Sequence, residues 1–258
     1  VQYKTIGYIK VPSIGQGTQG IHDVEVIKRG ISLGQTFIDT AEVYKNEEVV
    51  GEVIKGQRDK VQISTKFSPE HNGYDDVIKS CEASLKRLGT DYIDFYSMHW
   101  PNPNFDIENT LSALTNLQVQ GKVKNIGICN ATHKQIEGFG LDFIQNEYNL
   151  FDRGAEEVFG HCEKHNILFV AYSPFQHFYS LNPDSMIWLQ EIAFKYQRPL
   201  TQITLNWIIS HKNVIAIPKT KNPEHQISNS QASDFTITTE EIKKIDELFP
   251  YKVEYIDP

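Results

Sequence analysis

The chain has 258 residues, 40% of them hydrophobic and 22% charged, which suits either two small domains or one α/β barrel. Its formal net charge of −8 argues against nucleic acid as a main partner, so an anionic ligand would need a local cluster of cations. No apolar run approaches the roughly 18–20 residues of a membrane span, and no signal peptide is expected. Cys81, Cys129 and Cys162 form no C-x-x-C pair, so a reducing, cytoplasmic setting is expected.

Strand-like and helix-like segments alternate from end to end. A hairpin-like stretch, Tyr3 to Pro12, comes first and is expected to plug the bottom of a barrel. Ile14 to Thr18 then leads to a helix beginning near Asp23, and Thr36 to Asp39 to one beginning near Asn46. In that second helix Val49, Val50, Val53 and Ile54 share a face, with Asn46 as the expected N-cap. Val61 to Lys66 precedes a helix in which Val77, Ile78, Cys81, Leu85 and Leu88 recur at helical spacing, and Gly89 supplies its stop. Tyr92 to His99 precedes a helix through Leu111, Leu114 and Leu117, ending at Gly121. Val123 to Ile128, Phe143 to Glu147, Ile167 to Ala171 and Val214 to Ile217 follow, each again trailed by a helical pattern. Two extra helices, Met186 to Tyr196 and Thr201 to Ser210, are separated by Pro199. Eight short apolar strands, each followed by a helix, with no Pro/Gly/Ser-rich linker between them, predict one (β/α)8 TIM barrel over residues 1–258.

One motif points elsewhere. Gly15-Gln16-Gly17-Thr18-Gln19-Gly20 fits G-x-G-x-x-G, follows a strand and opens a helix. Asp39 stands where a Rossmann dehydrogenase would place its ribose-binding acid. That reading does not explain eight strand–helix units, nor why Asp39 runs straight into Thr40-Ala41-Glu42-Val43-Tyr44. Small residues where backbone turns tightly or approaches a ligand explain the glycines better.

In a barrel of this kind the C-terminal strand ends build the active site. Asp39, Lys66 and His99 end strands two, three and four, and Tyr44 lies in the loop after strand two. A free phenol has a pKa of about 10, and a nearby buried ammonium is expected to lower it. Lys66 is the candidate for that role, with Asp39 holding it charged and aimed. His99 could hydrogen-bond a substrate oxygen. The set contains no covalent nucleophile paired with a base. It suits delivery of a proton to a carbonyl while another group delivers hydride.

Along essentially its whole length the chain resembles the aldo-keto reductase superfamily, and within it the microbial small-aldehyde and diketogluconate-reductase-like branch. The stretch from Phe37 to Gly51 resembles its first signature, and Ile63 to Phe67 and Ser97 to Pro103 its lysine and histidine blocks. Gly121 to Asn130, Gln145 to Leu150 and Ala171 to Phe175 follow in the family's order. The resemblance implies reduction of an aldehyde or ketone with NADPH, or possibly NADH, bound without a Rossmann fold. It makes Tyr44 the general acid, Lys66 and Asp39 its tuning pair and His99 the orienter. Tyr172 matches the aromatic stacked on the nicotinamide; Cys129, Asn130 and Gln145 match the positions around its carboxamide. Gly17, Thr18, Asp39, Ser173, Pro174 and Phe175 match other cofactor contacts. Lys219, Thr220, Lys221, His225 and Asn229 match the adenosine-phosphate site, where two ammonium groups and a helix N-terminus favour an anion. Gln19 and Trp100, with Tyr44 and His99, would border the substrate.

Three positions depart from the family. His225 replaces a common arginine, which would weaken the NADPH preference or make it pH-dependent. Cys129 replaces a common serine, a poorer hydrogen-bonding group. Gln19 replaces a tryptophan and removes an aromatic wall. His161 and His165, at i and i+4, resemble half of a zinc site, but Glu163 is out of register with H-E-x-x-H and no metal is expected. The segments 101–106, 176–183 and 251–258 are the expected substrate loops, and their shortness suggests small aldehydes or sugar-like carbonyls. A rival reading is a non-catalytic nicotinamide-sensing subunit on the same barrel.

Overall fold

The computed structural model describes residues 1–177 and 183–250. The predicted tail, 251–258, and most of the predicted loop 176–183 lie outside them. An antiparallel hairpin opens the chain: β1 (Tyr3–Ile6) and β2 (Ile9–Pro12). Eight parallel strands among the described residues follow: β3 (Gln16–Gly17), β4 (Phe37–Asp39), β5 (Gln62–Phe67), β6 (Ile93–Met98), β7 (Val123–Cys129), β8 (Phe143–Glu147), β9 (Leu168–Tyr172) and β10 (Val214–Ala216). Each pairs with the next in chain order, from β3 to β10. A parallel bridge between Ile14 and Ala216, with Gly15 N donating to the Ala216 carbonyl at 2.8 Å, joins the ends into a (β/α)8 barrel.

The helices are α1 (Val24–Ser32), α2 (Glu47–Ile54), α3 (Tyr74–Leu88), α4 (Ile107–Val119), α5 (His133–Ile136), α6 (Phe159–His165), α7 (Pro183–Tyr196), α8 (Leu200–Ser210), α9 (Pro223–Ser230) and α10 (Thr239–Leu248). Helix α1 starts as its sequence requires: the Asp23 carboxylate accepts from Glu25 N at 2.9 Å. Helix α3 stops at Gly89, whose φ of +63° is left-handed. The extra pair α7 and α8 is divided at Pro199, the N-cap of α8.

Two hydrophobic clusters share the strands. One packs the helices onto the barrel's outer face; the other fills the interior. In the interior, Phe37, Phe95 and Phe143 pack tilted and edge-to-face across β4, β6 and β8, with centroids 5.0 and 5.3 Å apart. Ile6, Ile9 and Val11 of the hairpin pack against these rings, so the hairpin closes the bottom as expected.

Two local expectations fail. Strand one is much shorter than Ile14 to Thr18, because its glycines serve closure: a Cβ on Gly15 would lie 2.8 Å from the Phe37 carbonyl, and one on Gly17 3.0 Å from that of Ile217. Asn46 occupies the N-cap position of α2 without capping it. Its buried amide instead donates to the Thr18 and Ile21 carbonyls at 2.8 and 2.9 Å and accepts from Thr40 Oγ1 at 2.6 Å. It thereby stitches together the loops after β3 and β4, which carry the site.

Candidate active site

The barrel geometry brings the four predicted residues together. Asp39 ends β4 and Lys66 lies one residue from the end of β5; neighbouring strands and a common mouth set them side by side. Lys66 Nζ donates to Asp39 Oδ1 at 2.5 Å and to the Thr40 carbonyl at 2.7 Å. The two side chains are 1% and 4% exposed. Burial pushes the Lys66 ammonium towards neutrality, but Asp39, with Tyr44 second, outweighs it and holds the group charged. Burial also raises the Asp39 carboxyl above 3.8, while Lys66 and Gln145 beside it act to keep it ionised.

Tyr44 ends a short 3-10 turn, Glu42–Tyr44, in the loop after β4. The turn is anchored by Glu42, which accepts from Ser68 N at 2.5 Å and contacts His71 Nδ1 at 2.8 Å. Lys66 Nζ lies 5.6 Å from the Tyr44 ring centroid, and the His99 ring meets it edge-on at 5.7 Å. The expected depression of the phenol's pKa is not found. Burial raises it above 10.0, and Lys66's lowering influence is opposed by Asp39. The residue is therefore a protonated phenol at neutral pH. Burial, then the Lys66 charge, lowers His99 to about 4, so the imidazole is neutral and carries one N–H donor.

Gly17, Thr18, Gln19, Cys129, Asn130, Gln145, Tyr172, Ser173, Pro174, Phe175 and Lys219 line the same cavity of about 410 Å³ as the four, and so does Trp100, half of whose surface is exposed. Thr18 is fixed there by its hydroxyl, which donates to the Asp39 carbonyl at 2.8 Å. The Tyr172 hydroxyl donates to Asn130 Oδ1 at 2.6 Å, and Asn130 Nδ2 donates to the His99 carbonyl at 2.9 Å. This chain of bonds spans the mouth from β9 to β6. Burial pushes the Cys129 thiol up to about 12, so it is an unreactive neighbour of Ser97, 3.2 Å away.

Thr220, Lys221, His225 and Asn229 lie beyond that cavity, in the segment after β10 and on α9. Two further residues, Ile217 and Gln176, line the cavity. Ile217 carries no signal in sequence because an aliphatic residue at a strand end reads as core; Gln176 reads there only as the start of a loop.

His161 and His165 sit on α6 with ring centroids 4.5 Å apart, and His133 lies 5.3 Å from His161. Among the described residues no three His, Cys, Asp or Glu side chains are placed to hold a metal ion. No described helix is long and apolar enough to cross a membrane.

The cavity's polar groups fit a nicotinamide nucleotide. Gln145 is 3% exposed, and its buried Oε1 has no hydrogen-bond partner, leaving an acceptor for a carboxamide N–H beside Asp39. Tyr172, its hydroxyl already engaged, offers a ring face whose position is fixed.

A model of the Aldo/keto reductase family matches residues 13–249. The methylglyoxal reductase YeaE of Escherichia coli is 33% identical over 95% of this chain and 93% of its own length. The thermostable aldo-keto reductase Tm1743, solved with the inhibitor epalrestat, superimposes with a TM-score of 0.91 at 35% identity, covering 96% of this chain and all (100%) of that one. An aldo-keto reductase from Klebsiella pneumoniae, solved with NADPH, gives 0.86 at 32% identity, covering 98% and 97%. A family match across nearly the whole barrel, on top of four side chains gathered at its mouth, is decisive: the chain belongs to the aldo/keto reductase family.

Proposed function

We propose that the protein, acting as a single barrel domain, is an NADPH-preferring reductase that converts a small aldehyde or ketone to its alcohol. The observation that carries this is the buried Lys66–Asp39 pair set beside a protonated Tyr44 and a neutral His99. The methylglyoxal reductase and NADPH-bound relatives support the substrate size and the cofactor.

NADPH, when bound, supplies the hydride that adds to the carbonyl carbon. The chain's own groups manage the oxygen. His99 donates its N–H to the substrate carbonyl and fixes its approach. As negative charge develops on that oxygen, Tyr44 gives it the phenolic proton, which completes the alcohol. The phenolate left behind is stabilised by the Lys66 ammonium, and Asp39 keeps that ammonium charged. A phenol raised above its ordinary pKa stays protonated until the oxygen becomes basic, so proton transfer follows charge development. Gln145 and Asn130 hold the carboxamide side of the cavity, and Tyr172 covers the ring. Gln19 and Trp100 border an open substrate mouth.

The test follows NADPH absorbance with methylglyoxal, glyceraldehyde and simple aldehydes. Turnover of one or more supports the reading. Tight NADPH binding with no turnover of any carbonyl would replace it with a binding protein on the same barrel.

A further inference from the structure

Arg29 lies on α1, nearly two hundred residues before the Lys219–Lys221 segment, yet it reaches the first turn of α9. Its Nε donates to Gln226 Oε1 at 2.5 Å, and Gln226 Nε2 donates in turn to the Val26 carbonyl at 2.8 Å. That amide bridge ties α1 to α9 and aims the guanidinium at the helix start. Arg29 Nη2 stands 3.5 Å from the Lys221 carbonyl, the outer limit of a hydrogen bond, and its other N–H groups have no partner among the described residues. An arginine with most of its donors unused, beside Lys221 and the N-terminus of an eight-residue helix, is poised for an anion.

Asn229 gives an independent sign that something binds here. It is 4% exposed, its side-chain amide makes no hydrogen bond among the described residues, and it lines a narrow groove with Thr220 and Gln226. Its amide is left free at that groove, where a ligand can meet it.

We propose that Arg29 binds the 2′-phosphate of the dinucleotide's adenosine ribose and is the main source of NADPH preference in this chain; this rests on the functional reading above. His225, on the exposed first turn of α9, has no planar fork of donors to match a phosphate. Arg29 can present two parallel N–H groups to a phosphate. Lys219 and Lys221 from the segment after β10, and Arg29 from α1, then converge on the phosphate, with Glu224 the acid nearest in sequence. An overall charge of −8 repels a phosphate elsewhere, so this cluster must supply the local attraction.

Equilibrium binding of NADPH, NADH, adenosine 2′,5′-bisphosphate and ADP to the full chain tests this, with Arg29→Met and Arg29→Lys beside wild type. Arg29→Met should weaken NADPH and the 2′,5′-bisphosphate about tenfold or more, leave NADH within about twofold, and Arg29→Lys should recover part of the loss. Equal losses for NADPH and NADH would assign Arg29 to packing through Gln226 and overturn the proposal. So would a wild type that binds the 2′,5′-bisphosphate no better than ADP. A wild type that binds neither NADPH nor NADH would instead remove the functional reading itself.

Discussion

Removing either partner of the Lys66–Asp39 pair should make stability depend on pH, with opposite slopes for the two single variants. At 2.5 Å the attraction is about 7 kcal/mol for an effective dielectric of about 20. Desolvation of two side chains that are 1% and 4% exposed takes part of this back. Loss of one partner should therefore cost about 3–5 kcal/mol, or roughly 6–20 °C in Tm for a chain of this size. In Asp39→Asn the ammonium stays buried with the Thr40 carbonyl, and its pKa falls below 10.5. The unfolded chain then binds more protons, so stability rises with pH towards 10.5. In Lys66→Met the lone buried carboxyl is pushed further above 3.8. The folded chain then binds more protons, so stability falls as pH rises from 3.8 to the shifted value. Each slope approaches about 1.4 kcal/mol per pH unit within its window. The double variant should be nearly flat in pH and recover most of the loss. Urea unfolding across the pH range reads all three. Parallel slopes in the single variants, or a coupling below about 1 kcal/mol, would refute a buried, mutually dependent ion pair.

Because His99 is lowered to about 4, kcat/KM should show no inflection from it between pH 5 and 8, and wild-type stability should fall as pH drops from 6.5 to about 4, where the unfolded chain takes up the proton first. A pH–rate break near 6.5 that vanishes in His99→Gln would contradict this. Gly127→Ala would place a Cβ 2.5 Å from the Phe143 carbonyl and 2.6 Å from its ring, so a loss of about 3 kcal/mol is expected; an unchanged urea midpoint would show that the β7–β8 contact is looser than described. Gln19→Trp should restore an aromatic wall and lower KM for benzaldehyde-like substrates about tenfold relative to methylglyoxal. An equal change for both would remove Gln19 from the substrate's surroundings.

The barrel is legible in the sequence because its strands are short apolar runs separated by amphipathic helices, a periodicity that survives without knowledge of contacts. β8 coincides with its predicted range, Phe143–Glu147, although only Phe143 and Ile144 are apolar and the polar Gln145, Asn146 and Glu147 carry it to the barrel mouth. β3 departs from its expected range because closure there depends on close backbone approach at Gly15 and Gly17, which a hydrophobic pattern does not report. Three of the four chemical residues are readable because a charged or titratable side chain at the end of an apolar strand has few other reasons to be there. The state of Tyr44 is not readable. It is set by burial and by the balance between Lys66 and Asp39, both properties of the assembled mouth. Asn46 shows the same limit, since a good N-cap residue is diverted to Thr40 in its own loop and to Thr18 and Ile21 in the distant loop after β3. Arg29 has no local signal at all; only the packing of α1 against α9 brings it to the start of α9.

Tyr44→Phe removes one hydroxyl and leaves the ring, the Lys66–Asp39 pair and the cofactor face in place. Turnover should fall at least about 100-fold, while NADPH binding stays within about twofold of wild type. Reduction of the same aldehyde at near wild-type rate by this variant would show that the proton comes from elsewhere, and the account of this site would fail.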